Sequence, residues 1–350
     1  MQQQITQQQI AHRLETFSDE TYSPDGMDFT FSQNGNHLNV NLTLPYAAKM
    51  LGSRLQQHLS SLLEGYQVTL SIECQLNQPQ AFKQIKNIVL VASGKGGVGK
   101  STTAVNLAVA LKQEGAKVGL LDADIYGPSM PLMLGMQGQK PTSKDGKIME
   151  PLVGHGVKVN SIGFLIEAKD AAVWRGPMAS SALSQLIGET NWGELDYLIV
   201  DMPPGTGDIQ LTISQKFPCT GAIVVTTPQN IALADAEKGI SMFAKVNIPV
   251  LGIIENMSYF SCGACGHTDY IFGQDGAMAL ADKFSAQLLG QIPLESKNRE
   301  NGDRGTPSVT QDTPVADLYR AIARQISKNM ALLHQNEPTA GGPEISFIDD

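Results

Sequence analysis

The chain has 350 residues, enough for about two domains at roughly 150 residues each and for a large buried core. Charged residues make up only 17% and apolar residues 42%, which excludes a long solvated or disordered design. With 34 acidic against 25 basic residues the net charge is −9, so the basic footprint of nucleic-acid binding is missing and no nucleic-acid partner is expected.

The opening stretch, MQQQITQQQIAHRLETF, has neither a basic start nor an apolar run, so it does not read as a secretory signal. No apolar run reaches the roughly 18 residues that cross a bilayer, and no membrane partner is expected. Four cysteines are too few for a disulfide framework. A cytoplasmic setting with reduced thiols is the expectation.

Residues 1–80 read as a small α+β domain. Leu38, Val40, Leu42 and Leu44 alternate at period two, and so do Tyr66, Val68, Leu70, Ile72 and Cys74. Between them Met50, Leu51, Leu55, Leu59, Leu62 and Leu63 follow helical spacing. A polar linker over 77–86 follows. From 81 to 335 the pattern becomes short apolar runs separated by helix-length segments, at 88–92, 118–122, 197–201, 222–226, 250–255 and 288–292. Such runs imply strands covered on both faces, hence a mainly parallel α/β sheet covered by helices. A helix over 314–334 and a mobile acidic tail over 336–350 end the chain.

The 88–92 strand runs straight into Gly94, Lys95, Gly96, Gly97, Val98, Gly99, Lys100, Ser101 and Thr102, with a helical pattern behind them. Gly94 to Ser101 satisfies G-x-x-x-x-G-K-[ST] in its strand–loop–helix setting, so a P-loop NTPase fold is expected. The glycines let backbone N–H groups converge on phosphate, and the helix N-terminus adds its positive dipole end. Lys100 then reaches the β/γ-phosphates and the Ser101 hydroxyl ligates Mg²⁺. Two acidic segments follow strands further on. Asp122 and Asp124 stand in Asp-Ala-Asp-Ile-Tyr-Gly, and Asp201 precedes Met-Pro-Pro-Gly-Thr-Gly-Asp. Asp201 fits the acid that holds Mg²⁺ through water, and the glycines behind it suit a loop that reorders with the γ-phosphate. With no N-K-x-D guanine signature, ATP is the expected nucleotide.

Cys262 and Cys265 form a C-x-x-C pair after the 250–255 strand, with glycines that relieve strain in the turn. Half of a Zn²⁺ site, half of an iron–sulfur site and a redox pair are all open readings. A closed metal site needs about four ligands. His267 can add one, and a two-fold dimer adds two further thiolates by symmetry. Cys74 and Cys219 read as structural.

The loop G-K-G-G-V-G-K-S-T resembles the deviant Walker A loop of the nitrogenase iron protein, MinD and ParA ATPases. With D-A-D-I-Y-G-P-S, D-M-P-P-G-T-G-D and E-N-M-S-Y-F-x-C-x-x-C-G in order, residues 85–330 resemble the Mrp/ApbC-type iron–sulfur cluster carriers. Residues 1–80 resemble, more weakly, the small domain fused to many Mrp proteins. The resemblance implies a homodimer that holds one [4Fe–4S] cluster between two C-x-x-C pairs, hydrolyses ATP weakly and passes the cluster to apoproteins. It also implies that Lys95 reaches the partner's nucleotide, that Asp124 orients the attacking water, that Asp122 belongs to the Mg²⁺ shell and that Asn256 contacts adenine. Gly263 stands where the family often has proline. A MinD/ParA-like positioning ATPase with a structural zinc site is the alternative, since Arg320, Arg324 and Lys328 form a basic stripe on the last helix such as MinD proteins use at membranes.

Overall fold

The computed structural model describes residues 4–76, 78–166, 176–205 and 207–336. The expected acidic tail lies outside the described residues beyond Asn336.

Near the N-terminus, strands β1 (Asp28–Asn34), β2 (His37–Leu44) and β3 (Gln67–Cys74) form a small sheet in the order β1-β2-β3. Leu38, Val40, Leu42 and Leu44 all point to one buried face, as their alternation requires. The helices Gln7–Glu15 and Gly52–Leu62 cover that face with Ile10, Leu14, Leu55 and Leu59. The first of these helices starts with a capping box, in which Thr6 and Gln9 satisfy each other's backbone N–H groups.

The rest of the chain builds one nine-stranded sheet. Its strands are β4 (Ile85–Ala92), β5 (Val118–Asp122), β8 (Leu152–Gly154), β9 (Val157–Ser161), β10 (Leu195–Asp201), β11 (Gly221–Thr226), β12 (Val250–Ser261), β13 (Thr268–Asp269) and β14 (Leu288–Leu294). The order is β13-β12-β11-β4-β10-β5-β9-β8, with β14 beside β12. A separate two-stranded ribbon joins β6 (Thr142–Ser143) to β7 (Met149–Glu150). Only β8 and β13 run antiparallel to their neighbours in the large sheet, so the mainly parallel sheet is as expected.

Both faces of that sheet are buried. Val89, Val91, Tyr197, Ile199, Ile223 and Val225 face one core, under the helices Lys100–Gln113 and Pro314–Asn336. Ile88, Leu90, Leu198, Val200, Ala222 and Val224 face the other, under Asn230–Lys245 and Gly276–Phe284. That is why the strands read as continuous apolar runs rather than alternating ones.

The last helix also joins the small sheet's unit to the large one. Arg324 Nη1 lies 2.6 Å from Glu114 Oε1 with both side chains buried, and Arg324 Nε donates to Thr21 Oγ1 at 3.0 Å. Glu114 Oε2 accepts from the Met50 N–H at 2.8 Å, and Ser327 Oγ accepts from the Ala47 N–H at 2.7 Å. Lys328 donates to the Glu20 carbonyl, and Arg320 is held by Gln113, Asp317 and the Val309 carbonyl. Each residue of the basic stripe therefore has hydrogen-bond partners within the chain, and only Arg324 is buried.

Candidate functional site

Parallel sheets place ligands at the C-terminal ends of their strands, and the motifs gather there. In the register of β10, Asp201 lies opposite Val91 of β4 on one side and opposite Asp122 of β5 on the other. The P-loop springs from the end of β4. Gly97 (φ +82°) and Gly99 (φ +84°) take left-handed backbone that glycine adopts without strain. Gly99 has a second reason to lack a side chain, since a Cβ there would sit 2.0 Å from the Asn256 amide. Gly94 passes so close to helix Asn230–Lys245 that a Cβ would lie 2.2 Å from the Asp235 carbonyl carbon.

Lys100, at the first position of its helix, gathers the acidic residues. Its Nζ lies 2.6 Å from Asp201 Oδ1, 3.9 Å from Asp124 Oδ2 and 3.2 Å from Ser101 Oγ. Burial raises the pKa of Asp201, and the Lys100 charge opposes that rise. The second oxygen of Asp201, Oδ2, is buried without a hydrogen-bond partner. An orphaned carboxylate oxygen beside a hydroxyl suits a hard divalent cation, so the residues present fit Mg²⁺.

Asp122 is fully buried and its oxygens are largely engaged. Oδ1 accepts from the Asp124 N–H at 3.2 Å, and Oδ2 accepts from the N–H groups of Ser129 (3.0 Å) and Met130 (3.2 Å) and from the Ser161 hydroxyl (2.9 Å). It anchors the loop that carries Asp124, a role its sequence position did not disclose. Burial, then the charge of Asp201, push its pKa up to about 7.

A cavity of about 290 Å³ opens beside the P-loop, walled by Gly99, Thr102, Asn256, Met257, Pro293 and Tyr319 among others. Asn256 does sit there, but its Nδ2 donates to the Val98 carbonyl at 2.8 Å. It braces the P-loop with one amide N–H, which leaves its second N–H and its oxygen to offer a base. Lys95 is half-buried, its Nζ 3.5 Å from Gln229 Oε1 at the start of helix Asn230–Lys245.

The cysteine pair lies beyond the end of β12, on the same edge of the sheet. The Cys262 N–H donates to the His267 carbonyl (2.9 Å) and the Gly266 N–H to the Cys262 carbonyl (2.8 Å), closing a tight knuckle. Both thiols are free, Cys262 half-exposed and Cys265 exposed. The N–H groups of Ala264 and Cys265, with the Cys265 thiol, hold the Cys262 thiol below its ordinary pKa. Among the described residues no three His, Cys, Asp or Glu side chains gather in ligating positions, so His267 does not complete a set with the pair. Cys74 and Cys219 pack against the cores, and burial pushes each up to about 12.

A P-loop, two acids at adjacent strand ends and a cavity beside the loop define a nucleotide-binding P-loop NTPase. Residues 84–327 match the ParA-type model of the NUBPL iron-transfer P-loop NTPases, and the chain belongs to that family. It is 53% identical to the iron-sulfur cluster carrier protein of Escherichia coli K12, over 89% of this chain and 86% of that one. It is 47% identical to the iron-sulfur cluster transfer protein NUBPL of Dictyostelium discoideum, over 74% of this chain and 83% of that one. Among solved structures, a nucleotide-binding protein of Archaeoglobus fulgidus in complex with ADP is 41% identical with a TM-score of 0.57, over 63% of this chain and 87% of that one. MinD of Pyrococcus furiosus shares the fold at 23% identity and a TM-score of 0.54, over 69% of this chain and 98% of that one.

Proposed function

We propose that this protein is an ATP-dependent iron–sulfur cluster carrier and weak ATPase, active as a homodimer that holds one [4Fe–4S] cluster between two chains and delivers it to apoproteins. The observation that carries this reading is the knuckle: two free thiols on a surface turn, with no third ligand gathered around them among the described residues. A cubane cluster takes about four thiolates, and a two-fold axis through the knuckle supplies them. Exposed Tyr270 and Ile271 follow the knuckle and give a second chain or a client apolar surface to cover. The names of the carriers at about half identity support the same cargo.

ATP lies along the P-loop, its phosphates on the 94–102 backbone and Lys100, its base in the neighbouring cavity within reach of Asn256. Ser101 and Asp201 hold Mg²⁺, with Asp122 behind them in the outer shell. When bound, the ion neutralises charge on the β- and γ-phosphates. Asp124, held at its backbone N–H by Asp122, orients the attacking water, while Lys95 acts on the partner's nucleotide.

Anaerobic reconstitution tests the cargo. Wild type should carry about four irons and four sulfides per dimer. Cys262→Ala and Cys265→Ala should each abolish loading and leave ATP binding intact, whereas Cys74→Ala and Cys219→Ala should load normally. Tight zinc with no uptake of iron or sulfide would instead support a structural zinc site. A full cluster in Cys262→Ala would sink the bridging site.

A further inference from the structure

Glu255 is a buried carboxylate that neither nucleotide chemistry nor thiolate ligation uses. It is fully buried, and it accepts hydrogen bonds from three different segments. Oε1 takes the Ser258 hydroxyl at 2.6 Å and the Gln291 amide of β14 at 3.0 Å, and Oε2 takes the Ala277 N–H at 2.8 Å. Ala277 is the second residue of the helix Gly276–Phe284, so the carboxylate also satisfies one of the N–H groups that a helix start leaves without a partner.

These partners bracket the knuckle. Ser258, on β12, precedes Cys262, and Ala277 lies in the first turn of the helix that follows Cys265. Both arms of the cysteine segment are thus tied to one side chain. Its neighbour Asn256 is tied to the P-loop through the Val98 carbonyl.

Between the two sites β12 is irregular. Asn256 pairs with Ile292 of β14 and the next pair is Phe260 with Leu294, so Met257, Ser258 and Tyr259 bulge opposite Pro293 alone. Met257 has φ +54°, a left-handed backbone that costs a non-glycine residue, and with Pro293 and Leu294 it walls the cavity beside the P-loop. A group filling that cavity therefore bears directly on the bulge.

We propose that Glu255 is a positioning residue that couples nucleotide occupancy to the placement of the Cys262–Cys265 knuckle, through the Ser258 bulge and the Ala277 N–H. The inference rests on the proposed nucleotide site but needs no cluster. A ligand can shift the knuckle only by binding one of its arrangements better than another, and the strained bulge beside the cavity is the place where a bound group would make that difference. Replacing the carboxylate by an amide puts a donor where one of the three hydrogen bonds needs an acceptor, and cuts the link without emptying the space.

The test uses the full-length, reduced, metal-free protein and follows iodoacetamide alkylation of Cys262 and Cys265 by peptide mass spectrometry. Rates are compared with and without saturating Mg·ADP, which fills the cavity without a γ-phosphate, and nucleotide affinity is titrated separately. In wild type, ADP should change the Cys262 rate by about threefold or more. Glu255→Gln should bind ADP within about twofold of wild type and lose that response, and Ser258→Ala should lose part of it. A wild-type protein that binds ADP with no change in thiol rate overturns the coupling, and so does Glu255→Gln responding as wild type does. If Glu255→Gln fails to fold, Ser258→Ala and Gln291→Ala carry the test, and full responses in both overturn it. Failure of wild type to bind ADP at all would instead strike the nucleotide site, and the titration reads that separately.

Discussion

At the scale of single residues the site is an electrostatic knot with one cation in it. Lys100 compensates Asp201 directly, while Asp122 lies behind with its oxygens occupied by hydrogen bonds. Burial, and then the charge of the adjacent acid Asp201, push Asp122 from 3.8 up to about 7, and the single Lys100 ammonium only partly opposes them. The folded chain therefore holds a proton there that the unfolded chain has lost, and this group makes stability fall as pH rises from about 4 to about 7. If Asp201 holds a divalent cation as proposed, the added positive charge should bring the Asp122 pKa back down. Binding of Mg·ATP at pH 7 should then release up to roughly half a proton, the share a group titrating near 7 still holds. Calorimetry in two buffers of different ionisation enthalpy measures it, and proton uptake would contradict this account. If Lys100 contacts phosphate as proposed, Lys100→Ala should remove charge-assisted contacts worth about 1.5–3 kcal/mol and lower nucleotide affinity roughly ten- to a hundredfold in direct titration.

At the scale of elements, the last helix does more than close the core. Its Arg324–Glu114 pair is buried and joined to Thr21 and Met50, so removing one partner strands a buried charge. Arg324→Ala should lower stability by about 3–5 kcal/mol, read as a shift in the denaturant midpoint, whereas Lys328→Ala should cost about 0.5 kcal/mol or less. A midpoint for Arg324→Ala equal to that of wild type would mean the ion pair contributes nothing to the junction. Continuous apolar runs made the central strands legible in the sequence, and β5 has the same bounds as its run, 118–122. Elements without such runs were hidden. Helix Gln7–Glu15 buries only Ile10 and Leu14, β1 exposes every second residue, and β8 with β9 is a short hairpin around His155 and Gly156. The P-loop residues were legible because phosphate binding demands their spacing. The contacts of Asp122, Glu255 and Arg324 were not, because each depends on partners distant in the chain or on hydrogen bonds within a folded loop.

At the scale of the molecule, one edge of one sheet carries a P-loop with Lys95 beside it and a two-thiol knuckle, and in the proposed homodimer a second copy would complete both sites. Lys95 is the residue on which this can be decided without iron. If it acts across the dimer on charge that develops at the γ-phosphate, Lys95→Ala should bind ATP nearly as wild type does but turn it over about a hundredfold more slowly. Lys100→Ala should be inactive for the opposite reason, since its own nucleotide site is weakened while its Lys95 is intact. Mixing the two variants then makes a prediction that neither makes alone. In a mixed dimer, ATP sits on the Lys95→Ala chain with that chain's Lys100, and the Lys100→Ala chain supplies Lys95. Random pairing makes half the dimers mixed with one working site in each, so activity should recover to roughly a quarter of wild type. A steady-state phosphate-release assay on the equimolar mixture measures it, with each variant alone as the baseline. A mixture no more active than the mean of its components would place Lys95 in cis, and the two nucleotide sites would then work as separate monomers.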